Sequence, residues 1–182
     1  AVRKAQPAED ETVVIFGFGM IGFFCASLLR SSGIQSIFVV EVNPNRLDIA
    51  RSYGFEGINP TREDVGTALL RMNGGRLADV VLDCAGQPDV PNLLASTCRV
   101  RGRIILVGTY ETIPQFDLLK IIRREAQLFG SRIYSRAEFL EKLGGFTAAK
   151  FEKDVAQGVM NPEAVEKTAT FIFQQRDQVA AK

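Results

Sequence analysis

A chain of 182 residues with 22 Lys and Arg against 21 Asp and Glu carries a net charge of +1. Near-neutral charge speaks against a nucleic-acid or membrane-surface partner. With 46% hydrophobic and 24% charged residues, the composition is that of a globular domain and excludes disordered, collagen-like and membrane-spanning classes.

Short β-rich runs alternate with helical stretches along the chain. Val13, Val14, Ile15 and Phe16 form a continuous apolar run stopped by glycine, the mark of a buried strand. A helix is expected over 21–30, ended near Gly33, then a strand over 36–41 (S-I-F-V-V-E). Pro44 suits a first helical turn, and the helix it opens runs over 45–53 to a stop at Gly54. A very short strand at 57–59 and a helix over 63–72 follow, the helix broken by Asn73, Gly74 and Gly75. Next come a strand over 79–84, a helix over 88–98 and a strand over 103–107 ended by Gly108. A helix over 116–124 precedes a weaker strand from Ala126 to Phe129, and the remainder from Ala137 is expected helical except at 170–173. Strands apolar on both faces, alternating with helices, imply a parallel sheet covered on both sides. The expected fold is therefore α/β, a Rossmann-type doubly wound sheet of about six strands in the order 3-2-1-4-5-6, forming one domain over 1–182.

Gly17-Phe18-Gly19-Met20-Ile21-Gly22 is G-x-G-x-x-G, and it lies where a strand gives way to a helix. In that context Gly17 permits the tight turn. Gly19 lets the backbone approach a pyrophosphate, and Gly22 lets the helix pack close to the strand. The helix N-terminus then offers free N–H groups to phosphates. Glu41 ends the second strand 24 residues after Gly17, where a carboxylate accepts from both ribose hydroxyls and repels a 2′-phosphate, so NAD is favoured over NADP. Arg46 is placed to cover the adenine or to pair with Glu41. Cys84, Ala85 and Gly86 end the fourth strand, and Val107, Gly108 and Thr109 the fifth. Both groups belong to the carboxyl edge where such sheets bind ligands, the second on the nicotinamide side.

Other chemistries are missing. The chain has no histidine, so no imidazole base and no Ser–His pair resides on it. None of Tyr53, Tyr110 and Tyr134 has a lysine four residues on, and no Walker A lysine motif is present. No acidic residue precedes Gly17 on the first strand, which weighs against a methyl-donor site. Cys25, Cys84 and Cys98 lack metal-ligand spacing and are expected as small buried side chains of a reduced, cytoplasmic protein. Phe16, Phe18, Phe23 and Phe24 gather around the glycine turn as core, with some rings expected in an exposed apolar patch.

The stretches V-V-I-F-G-F-G-M-I-G, V-V-E-V-N-P-N-R-L-D-I-A-R-S-Y-G, A-D-V-V-L-D-C-A-G-Q-P and G-R-I-I-L-V-G-T-Y give the chain its likeness. It resembles the cofactor-binding domain of the zinc-type medium-chain dehydrogenases, the alcohol, sorbitol and threonine dehydrogenase group. The resemblance implies that residues 17–22, with Met20 and Ile21, lie along the pyrophosphate, Glu41 and Arg46 at the adenosine ribose, and Val107 to Thr109 at the nicotinamide. It further implies that zinc and the proton relay belong to a catalytic domain absent from this chain, so that the isolated chain binds NAD(H) without turnover. Family cofactor domains pair through a sheet edge, which implies a homodimer through the strand from Ala126 to Phe129. Met20 stands where the family often has proline, Phe18 is bulkier than usual, and Ile133 replaces an arginine common in polyol-type members. A reading of a different class is a stand-alone dinucleotide-binding sensor with no catalytic activity.

Overall fold

The computed structural model describes residues 1–132. They comprise a first unit, Ala1–Ser131, and the first residue of a second, Arg132–Lys182. The expected helix from Ala137 and the strand at 170–173 lie outside the described residues.

The first unit runs α1 (Val2–Ala5), β1 (Val13–Phe16), α2 (Met20–Ser31), β2 (Ile37–Val40), α3 (Pro44–Ser52), β3 (Glu56–Ile58), α4 (Val65–Met72), β4 (Ala78–Asp83), α5 (Val90–Thr97), β5 (Cys98–Leu106), α6 (Leu118–Arg124) and β6 (Gln127–Gly130). All six strands join one sheet in the order β3-β2-β1-β4-β5-β6, and every pairing is parallel. This is the order expected from the sequence, with β6 at one edge.

Burial explains the arrangement. All four residues of β1 and all four of β2 are buried, so both sheet faces must be covered. Val14, Phe16 and Val81 pack with Val65 and Leu69 of α4 and Leu94 of α5 on one face. Ile15 points to the other face, where its Cγ2 lies 3.6 Å from the place a Cβ on Gly22 of α2 would occupy. Caps set several helix starts: Asn43 accepts from Asn45 N–H for α3, Asp64 from Thr67 N–H for α4, and Asp117 from Leu119 N–H for α6.

β5 departs most from expectation, beginning at Cys98 rather than Arg103. Regular pairing with β4 does begin at Arg103, opposite Val80, after a register irregularity between Ala78 and Val80. Arg101 there adopts the left-handed conformation, with φ of 59°. At this amino edge of the sheet, Asp79 accepts from Thr12 N–H at 2.8 Å and pairs with Arg99, while Glu11 pairs with Arg103. The ion pairs tie down the end away from the glycine turn.

Candidate functional site

In a parallel sheet all strand carboxyl ends lie along one edge, so β1, β2, β4 and β5 bring their terminal loops together. The glycine turn leaves β1 with Gly17 at φ 87°, its N–H donating to the Val40 carbonyl at 2.7 Å. Each glycine has its own physical reason. A Cβ on Gly17 would stand 3.0 Å from the Ala85 backbone, and one on Gly22 only 2.0 Å from the Gly17 carbonyl oxygen. A Cβ on Gly19 would meet nothing within 4 Å. Gly17 and Gly22 are thus required by the protein itself, whereas the crest at Gly19 faces open space. Gly19 is also the N-cap of α2, and no side chain caps that helix end, leaving first-turn N–H groups for an outside acceptor. Met20 is partly buried and Ile21 is 39% exposed beside this turn.

Phe18 points away from the crest. Its ring is buried and meets Phe23 and Phe55 edge-on, at centroid distances of 5.8 and 6.0 Å, and Phe23 meets Tyr53 at 5.1 Å. These contacts anchor the turn to the protein interior. Phe16, Phe18 and Phe23 are buried and Phe24 is partly exposed, so three of the four rings lie in the core rather than in an exposed apolar patch. The buried rings of Phe18 and Phe23 pack on each other, with Phe55 and Tyr53, instead of facing solvent.

Glu41 is only 5% exposed, and its carboxylate holds the turn in place. Oε2 accepts from Phe18 N–H at 2.8 Å, and Oε1 from Asn43 N–H at 2.9 Å. Arg46 does not stand free; its Nη1 lies 3.6 Å from Oε2. A carboxylate offers about four lone-pair positions. Two remain beyond the backbone bonds, one on each oxygen.

On the far side of β1, Asp83 ends β4 fully buried. Its Oδ1 accepts from Ala85 N–H at 2.9 Å and Gly86 N–H at 3.1 Å, and its Oδ2 accepts from the Tyr110 hydroxyl. The Asp83 carbonyl accepts from Val107 N–H and Gly108 N–H at 2.9 and 2.8 Å. The two loops touch backbone to backbone: a Cβ on Gly108 would stand 2.4 Å from Gly86 N, and one on Gly86 2.6 Å from the Thr109 carbonyl oxygen. Burial, then the bond to Asp83 and its charge, push the Tyr110 hydroxyl well above the usual phenol range.

All thirteen residues singled out from the sequence therefore share this edge, joined through the Phe18–Glu41 bond and the Gly17–Ala85, Gly86–Thr109 and Gly86–Gly108 contacts. Sequence reasoning missed Asp83 and Tyr110. The available signal was an acid closing a strand that is otherwise almost wholly apolar (A-D-V-V-L-D), since a buried carboxylate must find donors. Cys25 lies on α2, and Cys84 and Cys98 lie on either side of α5. Cys25 and Cys98 are buried, but Cys84 is only partly so. The neighbouring Cys25 thiol, then burial, push the Cys84 thiol well above the ordinary thiol range. Among the described residues no three His, Cys, Asp or Glu side chains converge as metal ligands. No helix of the described residues is long and apolar enough to cross a membrane.

A parallel sheet of this order, with a glycine turn after its first strand and an acid after its second, defines the Rossmann class of α/β proteins. The chain belongs to the family described as zinc-binding dehydrogenase, which matches residues 21–147. It is 31% identical over 138 residues to 2-dehydro-3-deoxy-L-galactonate 5-dehydrogenase of Pseudoalteromonas atlantica, covering 76% of this chain and 40% of that protein. To L-galactonate-5-dehydrogenase of Escherichia coli it is 29% identical over 140 residues, covering 76% and 41%. The chain thus spans about two fifths of the length of these relatives, which are oxidoreductases, and matches their C-terminal region. The fold is shared with 2R,3R-butanediol dehydrogenase from Bacillus subtilis, at TM-score 0.68 and 24% identity over 74% of this chain and 39% of that one. It is shared too with an Escherichia coli alcohol dehydrogenase solved with NADH, at TM-score 0.69 and 21% identity over 89% and 45%.

Proposed function

We propose that this chain is the NAD(H)-binding part of a dehydrogenase acting on an alcohol or polyol, and that the edge around Gly17–Gly22 seats the cofactor. The observation that carries the reading is the contrast among the three glycines. Gly17 and Gly22 are explained by contacts within the protein, but Gly19 has open space where its side chain would be, which leaves the backbone there free for an external group to approach. That group faces the uncapped start of α2, which favours a phosphate.

On this reading the pyrophosphate lies over Gly19, Met20, Ile21 and Gly22. The adenosine ribose takes the remaining lone pairs of Glu41, with Arg46 beside it. Cys84, Ala85 and Gly86 leave room between the two halves, and Val107, Gly108 and Thr109 orient the nicotinamide. The cofactor supplies the hydride chemistry, while these residues bind and orient it. A 2′-phosphate would meet the buried Glu41 carboxylate, so NAD is preferred to NADP. Zinc and the alcohol substrate are assigned to residues other than those described.

The test is calorimetric titration of the chain and of Gly19→Ala with NAD and NADP. NAD is expected to bind at least about tenfold more tightly than NADP. Gly19→Ala is expected to keep its melting behaviour, because an N-cap exchange of this kind costs roughly 0.5 kcal/mol, yet to lose NAD affinity more than about tenfold through the methyl placed under the pyrophosphate. Equal binding of NADP, or unchanged NAD binding by Gly19→Ala, refutes the assignment.

A further inference from the structure

Two strand-end carboxylates flank β1, Glu41 after β2 and Asp83 at the end of β4, and only the first has an assigned place at the cofactor edge. Asp83 has 0% exposure and is held by three donors. Two come from its own loop, Ala85 N–H and Gly86 N–H. The third, the Tyr110 hydroxyl, lies 27 residues away in the loop after β5. Hydrogen bonds to an ionised acceptor are the strong ones, and burial strengthens them further. The same two loops also meet where Gly86 faces Gly108 and Thr109. A side-chain bond and a close backbone contact thus fix the loop after β4 against the loop after β5.

We propose that Asp83 and Tyr110 form a latch that positions the nicotinamide half of the cofactor site, separately from the adenosine half that Glu41 fixes. The inference rests on the reading of the edge as a dinucleotide site. Tyr110 is a positioning residue rather than a catalytic acid. Its hydroxyl proton is committed to Asp83, and burial beside that carboxylate raises its pKa, so it stays protonated and remains a donor. The latch joins β4 to β5 and makes no bond to the glycine turn or to Glu41, so its loss should reach one half of the ligand only. Removing the hydroxyl leaves Asp83 Oδ2 without its donor while the ring stays in place.

The experiment compares NADH with AMP, which lacks the nicotinamide half, as ligands of the full chain, by NADH fluorescence and calorimetry. In Tyr110→Phe, NADH affinity should fall about tenfold, the scale of one lost bond to a charged acceptor, while AMP affinity stays within about twofold, retained AMP binding also showing that the variant is folded. In Asp83→Asn, the amide oxygen can keep Ala85 and Gly86 while Nδ2–H donates to the Tyr110 oxygen. This variant should therefore bind NADH within about threefold of the parent chain. The latch is overturned if Tyr110→Phe weakens NADH and AMP alike, if it weakens neither, or if Asp83→Asn loses NADH affinity as fully as Tyr110→Phe. Failure of the parent chain to bind either ligand instead overturns the dinucleotide reading beneath it.

Discussion

Glu41 is held by the fold before any ligand arrives, and this makes a strong prediction about stability. Its Oε2 serves the buried Phe18 N–H at 2.8 Å, and its Oε1 the partly buried Asn43 N–H at 2.9 Å. Glu41→Gln keeps the shape but turns one acceptor into an NH2 facing an N–H. The less costly placement keeps the carbonyl on Phe18 and sets the NH2 against Asn43. One donor is then unsatisfied, at a cost of about 1–3 kcal/mol. Glu41→Ala strips both donors and should cost about 4 kcal/mol, twice the middle of that range. Arg46 adds little to this difference, because its side chain is 53% exposed and the pair spans 3.6 Å. Urea denaturation followed by circular dichroism reads the series, which should run wild type, Gln, Ala in falling stability. If Glu41→Ala lies within about 0.5 kcal/mol of wild type, the size of an ordinary surface change, the carboxylate does not hold the turn and the account of the site is wrong. If the series holds, weaker ligand binding by Glu41→Ala measures the collapse of the turn as well as the loss of the proposed ribose contact.

Two further outcomes follow from side chains away from the edge. Asp64 caps α4 through Thr67 N–H and hydroxyl at 2.8 Å each, and Asp64→Ala should cost about 1 kcal/mol in the same denaturation assay. The cap holds the Asp64 carboxyl below its ordinary value, so its contribution is full above the unfolded carboxylate range and fades as acid protonates it; the difference between Asp64→Ala and wild type should shrink towards low pH. Burial raises the Cys98 thiol to about 11, so its contribution is full below the unfolded thiol value and is lost as pH climbs towards 11. At pH 8 Cys98 should react with a thiol reagent only as fast as the chain opens, and prompt labelling of native protein would contradict its burial.

The central sheet was legible because β1, β2 and β4 are short, mostly apolar runs stopped by glycine or an acid, the pattern of strands covered on both faces. β1 falls on the expected residues, and β2, β3, β4 and β6 lie within one residue of theirs at each end. β5 was read short because its first residues carry charge (C-R-V-R) and one of them, Arg101, is left-handed, which no period of two reveals. At the site, residue types were legible and their partners were not. The spacing named Glu41, but only the three-dimensional path of the turn shows that Phe18 N–H reaches it across 23 positions. Asp83 was hidden for the opposite reason. It looks like the polar end of a strand, and its burial depends on a tyrosine 27 positions later.

Taken together, the two carboxylates explain how an edge made of loops can be rigid. Glu41 and Asp83 end the strands on either side of β1, or follow directly on them, and each binds two backbone N–H groups of the connecting turns. Free loops would lose conformational entropy on meeting a ligand, and that loss is subtracted from affinity. Here the amides around Gly19 and the loops at Gly86 and Gly108 are already ordered by bonds to buried charges. Each acid also draws local N–H groups to itself, yet Gly19 stays open on its outer side, with Phe18 turned inward to the aromatic cluster. The bulk at Phe18 that departs from the family pattern therefore works with the glycines: its ring fixes the turn from below, and the crest above it presents backbone alone.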